Sequence, residues 1–139
     1  MKKLMILTVV CALIMNCTNV KDKSVQKDLS FENFLETFSK DSIFQVTRVH
    51  FPLECQSIDI DDKVEIVTIK ESKWRHIDFL QDTSAYLNET DKFKPIIEKS
   101  KSDTVNYTRE GIDNGIHIEY TFIKEKDKWY LVKIFDRST

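Results

Sequence analysis

The last third of the chain alternates apolar and polar residues for long enough to dictate its local structure. Ile116, Ile118, Tyr120 and Phe122 alternate with His117, Glu119, Thr121 and Ile123. Trp129, Leu131, Lys133 and Phe135 then alternate with Tyr130, Val132 and Ile134. Successive side chains of a strand point to opposite faces, so a period of two predicts strands. Asp113-Asn114-Gly115 predicts a hairpin turn before the first run, because Asn-Gly tolerates positive φ. Lys126-Asp127-Lys128 turns the chain between the two runs. With Val105 to Glu110 as a further strand, this is an antiparallel meander with one apolar face.

A sheet with one apolar face needs a second layer to cover it. The chain supplies that layer ahead of the strands. Ser30 is placed to cap a helix with its hydroxyl, and Phe31, Phe34, Leu35 and Phe38 follow at i, i+3, i+4 and i+7. Glu32 in the first turn and Lys40 near the end suit the helix dipole. Asp41-Ser42 is a second capping signal and predicts a short helix carrying Ile43, Phe44 and Thr47. From Val49 the period becomes two: Val49, Phe51, Leu53 and Cys55 share a face, with Pro52 marking an edge, a bulge or a break. Asp61-Asp62-Lys63 reads as a turn, and Val64 to Glu71 as a β-branched strand. Trp74 to Leu80 is ambiguous. Thr83 to Lys99 reads as a short strand near Tyr86 followed by irregular or briefly helical chain, and the charge mixture at Lys92 to Lys101 as a solvated surface. The expected fold is α+β: N-terminal helices packed on a curved, mostly antiparallel sheet of about six strands.

Little besides its core is available to hold this fold. The chain has three cysteines, Cys11, Cys17 and Cys55. The first two lie in or just after an apolar leader, so Cys55 has no partner for a disulfide within the domain. Nine Phe, four Tyr and two Trp supply large apolar side chains instead.

The leader itself reads as a sorting signal. Lys2 and Lys3 precede an almost wholly apolar run, Leu4 to Met15. At about 1.5 Å per residue that run spans about 18 Å as a helix, short of the roughly 20 residues that cross a bilayer. A basic start and a short apolar stretch form the signal-peptide pattern. Leu13-Ile14-Met15-Asn16-Cys17 resembles a bacterial lipobox, departing from it at Asn16, where Gly, Ala or Ser is usual. The expectation is a signal peptide over 1–16, an acylated Cys17 with a flexible polar tether over 17–28, and one α+β domain over 29–139. Acyl chains would then hold the protein to membrane lipid in a bacterial cell envelope, each buried methylene contributing about 0.8 kcal/mol. Loss of Lys2 and Lys3 moves the formal net charge from −2 to −4. A mildly acidic domain lacks the basic stripe that nucleic acid requires.

The run Phe31-x-x-Phe34-x-x-x-Phe38-x-x-Asp41-x-x-Phe44-Gln45-x-x-Arg48-Val49-x-Phe51-Pro52-Leu53 resembles the opening of a family of exported bacterial lipoproteins. That family is known as a domain of unknown function with a nuclear transport factor 2-like fold. The ending "KDKWYLVKIFD" is similar to the last strand of that superfamily. The resemblance implies a cone-shaped α+β barrel with a cavity between helix and sheet. It implies no substrate, because the superfamily spans isomerases, dehydratases and non-catalytic binding modules, and fold does not give function.

Several residues carry possible chemistry. His117 and Glu119 lie two apart on one strand face; if that face lined a cavity, Glu119 would accept a proton and His117 orient a ligand. The plainer reading is a solvent-facing row. Asp41 and Arg48 are two helical turns apart, and the plainer reading is a cap and an ion pair. The alternative offers Arg48 to an anionic ligand at the cavity mouth, with Gln45 adding an amide. Cys55 reads as a buried inert thiol. His50, His76 and His117 are scattered and no paired Cys or His spacing suggests a metal. No glycine-rich phosphate loop or serine elbow suggests a cofactor or a nucleophile. Asp41-Ser42-Ile43 and Asp103-Thr104-Val105 resemble an O-glycosylation acceptor of some periplasmic bacterial proteins, and each is equally a cap or a strand start.

The leading expectation is a non-enzymatic envelope lipoprotein that binds a small apolar or anionic molecule or an envelope protein. The alternatives are an isomerase- or dehydratase-like enzyme with Glu119 or Asp41 as base, and an assembly partner acting through the sheet face.

Overall fold

The structure, a computed structural model, describes residues 30–58, 61–80, 92–101 and 103–139. The leader, Cys17, the tether and the strand expected near Tyr86 lie outside the described residues. Helix α1 spans Phe31–Lys40 and α2 spans Ser42–Thr47. The strands are β1 (Val49–Ile58), β2 (Val64–Ile69), β3 (Phe93–Lys101), β4 (Thr104–Gly111), β5 (His117–Glu125) and β6 (Lys128–Asp136). They form one sheet in the order β2-β1-β6-β5-β4-β3. The β1–β6 pair is parallel and the other four pairs are antiparallel.

The helices start and stop where their side chains dictate. Ser30 Oγ accepts from the Asn33 amide at 3.2 Å, which caps α1. Glu36 and Lys40 pair at 2.7 Å on its exposed face. Asp41 has φ −110° and ψ 103°, which ends α1. Its carboxylate accepts from the Ile43 and Phe44 amides at 3.0 and 2.9 Å, which starts α2. One residue therefore closes the first helix and opens the second.

Phe31, Phe34, Leu35 and Phe38 of α1 press onto the inward row of the sheet: Val49 and Leu53 of β1, Val105 and Tyr107 of β4, Tyr120 and Phe122 of β5, and Trp129 and Leu131 of β6. Phe79, from the connection after β2, completes this core. The segment read as ambiguous thus contributes a core ring. It follows a 3-10 turn at Glu71–Lys73, contains neither helix nor strand, and is tied to the helices by Ser39 and Gln45.

Four expectations change. Phe93–Lys101 is a strand, where irregular or helical chain was expected. Among the described residues it is an edge strand paired to β4 alone, and both its faces are largely exposed, so no apolar alternation marks it. The second strand ends at Ile69, ahead of Glu71. In the turn before β5 the positive φ belongs to Asp113, at 57°, and to neither Asn114 nor Gly115. Gly115 serves a different need: a Cβ there would run into Thr139.

The fourth change concerns β6. Thr121 pairs with Lys133, but Phe122 pairs with Leu131, so Val132 is an extra residue in β6. This bulge reverses the alternation. Trp129 and Leu131 face inward as expected, but beyond the bulge Ile134 packs on the core and Lys133 and Phe135 turn outward. Pro52 sits in the second strand from the edge, where the β1–β6 register shifts between Val49 and Glu54. Proline has no N–H to give the ladder, and the irregularity absorbs it.

Candidate functional site

The described residues include two surface concavities. One is an open cleft of about 350 Å³ at the β4–β5 turn and the C-terminal segment, lined by Glu110, Asn114, His117, Arg137 and Thr139 among others. The other is an apolar groove of about 470 Å³ between α2 and the connection after β2, lined by Ile43, Val46, Trp74 and His76 among others.

The first cleft holds the more organised chemistry. Glu110 and His117 face each other across the hairpin, with His117 Nδ1 2.6 Å from Glu110 Oε2. Arg137 Nη2 lies 2.8 Å from His117 Nε2. A guanidinium has only donors, so Nε2 accepts and the ring proton sits on Nδ1, donated to Glu110. Both ring nitrogens are thus occupied by protein groups. The guanidinium also stacks 5.1 Å from the Phe135 ring centre, so the bulge that turns Phe135 outward supports the cleft. Asn114 pins the loop: its Nδ2 donates to the Lys92 carbonyl at 2.9 Å and its Oδ1 accepts from the Ile116 amide at 3.0 Å.

The residues singled out in the sequence do not assemble into one site. His117 lines the cleft, but its partner is Glu110. Glu119 is half-buried on the same outer face, opposite Thr108 and Phe135. Asp41 is an exposed cap. Gln45 is fully buried and donates to the Phe38 and Ile77 carbonyls at 2.7 Å each. Its carbonyl accepts from Trp74 Nε1 and the Ile77 amide at 3.2 and 2.9 Å. All four hydrogen-bonding positions of the amide are thus taken by the protein, which corrects the expectation of a ligand-facing Gln45. Arg48 is buried at the end of α2, its Nη1 3.4 Å from the Trp129 carbonyl and its guanidinium 4.8 Å from the Phe44 ring centre. It faces the interior of the helix–strand junction and not a cavity mouth.

Sequence reasoning missed Glu110 and Arg137. Glu110 was legible in principle, since counting outward from the Asp113-Asn114-Gly115 turn sets it against His117. Arg137 follows the β6 bulge, and no local pattern places it. Cys55 packs beside the core, and burial, then the adjacent Glu54 carboxylate, push its thiol above the ordinary range. An unreactive thiol follows. Among the described residues no group of three or more His, Cys, Asp or Glu is placed to hold a metal. Ser42 is exposed at the first turn of α2, and Thr104 opens β4 with its hydroxyl 3.3 Å from Asp103.

Two N-terminal helices laid on a six-stranded mixed sheet define an α+β cone of the nuclear transport factor 2-like class. Over residues 1–136 the chain matches the family described as "Domain of unknown function (DUF4348)", and it belongs to that family. No curated protein matches it in sequence. Among solved structures it is similar to a nuclear transport factor 2-like protein from Bacteroides fragilis, with 22% identity over 82% of this chain and a TM-score of 0.58. The chain spans about half, 49%, of that protein's length. It is also similar to a cystatin-like protein from Bacteroides caccae, with 20% identity, 76% and 74% of the two chains covered and a TM-score of 0.53. A protein from Bacteroides uniformis matches at 18% identity with the same coverage and a TM-score of 0.54. At these identities the likeness speaks to fold alone.

Proposed function

We propose that the protein is a lipid-anchored envelope protein, acylated at Cys17, whose domain is a non-catalytic module that binds another envelope protein on its outer surface. The observation that carries the reading is the filled interior. Phe31, Phe34, Phe38, Phe79 and Phe122 are each at most 2% exposed and stack ring against ring at 5.1–5.8 Å. These rings occupy the space between helix and sheet where a cone-type ligand would sit. Recognition then falls to the surface, and the cleft around Arg137 and His117 offers a charged anchor with an oriented imidazole beside it. The anchor at Cys17 rests on the lysine-led apolar leader and the lipobox-like residues 13–17.

The enzyme alternative has less support. Asp41 uses its carboxylate to cap α2, and Glu119 lies on the face away from the core.

Native mass spectrometry of the protein extracted from its host tests the proposal. The expected species begins at an acylated Cys17 and carries a second protein that is lost in Arg137→Glu. An unmodified chain beginning elsewhere would end the anchor reading. A small molecule retained in Arg137→Glu, with no protein partner in the wild type, would end the surface-binding reading.

A further inference from the structure

The apolar groove between α2 and the connection after β2 differs in character from the charged cleft. Ile43, on its helix side, is 80% exposed, and Val46 and Trp74 line the groove with it. Two of its polar groups are satisfied from within. Trp74 Nε1 donates to Gln45 Oε1 at 3.2 Å, and the Thr47 hydroxyl donates to the Phe44 carbonyl at 2.7 Å. Such a lining asks its occupant for apolar surface and for few hydrogen bonds. The chain on either side of Trp74 is basic. Lys70, Lys73 and Arg75 are exposed and have no carboxylate partner among the described residues. Glu71 is the one acid in this stretch, so residues 70–76 carry a formal +2 from three cations and one carboxylate. Without residues 1–16 the chain has a net charge of −4, so the rest of it carries −6. Asp41, the acid that precedes α2, has its carboxylate on the Ile43 and Phe44 amides.

We propose that this groove is the face the domain lays on an anionic lipid surface. Ile43, Val46 and Trp74 meet the boundary between headgroups and acyl chains, and Lys70, Lys73 and Arg75 meet the lipid phosphates.

Charge and position select lipid as the occupant. An apolar patch flanked by lysine and arginine is the pattern of interfacial membrane contact. Long basic side chains reach headgroups while their stems stay on apolar surface. The asymmetry of charge also orients the domain, because an anionic surface draws the +2 segment and repels the acidic remainder. Thirteen residue steps from Cys17 to Ser30 reach at most about 45 Å. The ten residues of α1 add about 15 Å, so α2 stays within reach of the bilayer. β1 then leads from α2 toward the other end of the sheet, where Val49 pairs with Leu131 and Ser57 with Asp136. The eight steps of β1 from Val49 to Ser57 cover about 26 Å. With the groove on lipid, the Arg137 cleft lies at the far end and stays open to a protein partner. The inference rests on the proposed anchor for nearness to lipid, and on the groove and its cations for orientation.

Tryptophan quenching by brominated lipid tests this. The full chain extracted from its host is placed in vesicles of dibrominated phosphatidylglycerol, which is anionic, or of dibrominated phosphatidylcholine, which is neutral. The chain has two tryptophans; Trp129 is 5% exposed and serves as an internal reference for Trp74. Fluorescence is expected to drop in the anionic vesicles, to drop far less in the neutral ones, and to hold steady in Trp74→Phe. Lys73→Gln combined with Arg75→Gln is expected to lower the ratio of docked to undocked protein about thirty-fold, at about five-fold per lost cation. Ile43→Asp is expected to lower it as well. Ile43, Lys73 and Arg75 are exposed, so these variants keep the fold, which circular dichroism checks. Intact mass reads the anchor separately: an unacylated chain that is still quenched ends the anchor reading and leaves this one standing. No quenching of the folded wild type, equal quenching by the two lipids, or quenching unchanged in the Lys73 and Arg75 double variant would each overturn the proposal. Absence of quenching together with a co-extracted protein that Ile43→Asp loses would assign the groove to that protein instead.

Discussion

Gln45 shows how a single residue can look like a binding group and act as a brace. Its amide holds the Phe38 carbonyl at the end of α1 and both backbone groups of Ile77 in the connection after β2. A leucine there would fill the same space and leave those buried groups without partners, each at a cost of about 1–3 kcal/mol. Gln45→Leu is expected to lower stability by about 3 kcal/mol or more, read from the denaturant midpoint. A change within about 0.5 kcal/mol, the range of a surface substitution, would return Gln45 to the list of ligand-facing residues. The sequence could show that Gln45 lay on a short helix after a capping aspartate. It could not show what lay above that helix, because Trp74 and Ile77 arrive from about thirty residues later, where periodicity is lost. Asp41 was legible for the opposite reason: a cap acts on amides two and three residues ahead, so its whole function is local.

At the scale of elements, the meander was legible because β5 and most of β6 are half-exposed strands with one buried face. What alternation cannot reveal is an inserted residue. Val132 breaks the pattern without a Gly or Pro to mark it, and the inward position passes from Lys133 to Ile134. Ile134→Ala is expected to cost about 1–2 kcal/mol, less than the full range for a wholly buried isoleucine. Lys133→Ala is expected to stay within about 0.5 kcal/mol. The reverse order in denaturant unfolding would mean an unbulged strand. The inward rows of β4 and β5 bear a second expectation. Burial pushes the phenols of Tyr107 and Tyr120 above the ordinary 10.0, with Arg109 pulling partly back. Tyr107 also donates its hydroxyl to the Phe79 carbonyl. With the folded value raised, the unfolded chain loses these protons first as pH rises. Their contribution to stability is complete below about pH 10 and is lost as pH climbs through the folded values. The urea midpoint is expected to fall between about pH 9 and about pH 11, with phenolate absorbance appearing together with unfolding. Phenolate absorbance that develops fully before unfolding would show that the two rings are open to water.

At the scale of the whole molecule, the question is whether the cone is a container. The fold class allows a cavity between helix and sheet, and the phenylalanine-rich opening of the domain closes it. The three-to-four spacing of Phe31, Phe34 and Phe38 announced an apolar helix face, but only the sheet opposite shows that the rings leave no room. Phe38 is 0% exposed, with ring centres of Phe34, Phe79 and Phe122 at 5.1, 5.4 and 5.5 Å. Removing that ring should turn a packed cone into a hollow one. Phe38→Ala is expected to cost about 3–5 kcal/mol, the loss of transferred surface plus the cavity left behind. A dry apolar cavity of that kind takes up benzene, and a ligand that binds only the folded state raises its melting temperature. Benzene is therefore expected to raise the melting temperature of Phe38→Ala and leave that of the wild type unchanged. If benzene raises both equally, the wild-type cone is open. Recognition inside the fold would then regain the support that its filled interior takes away.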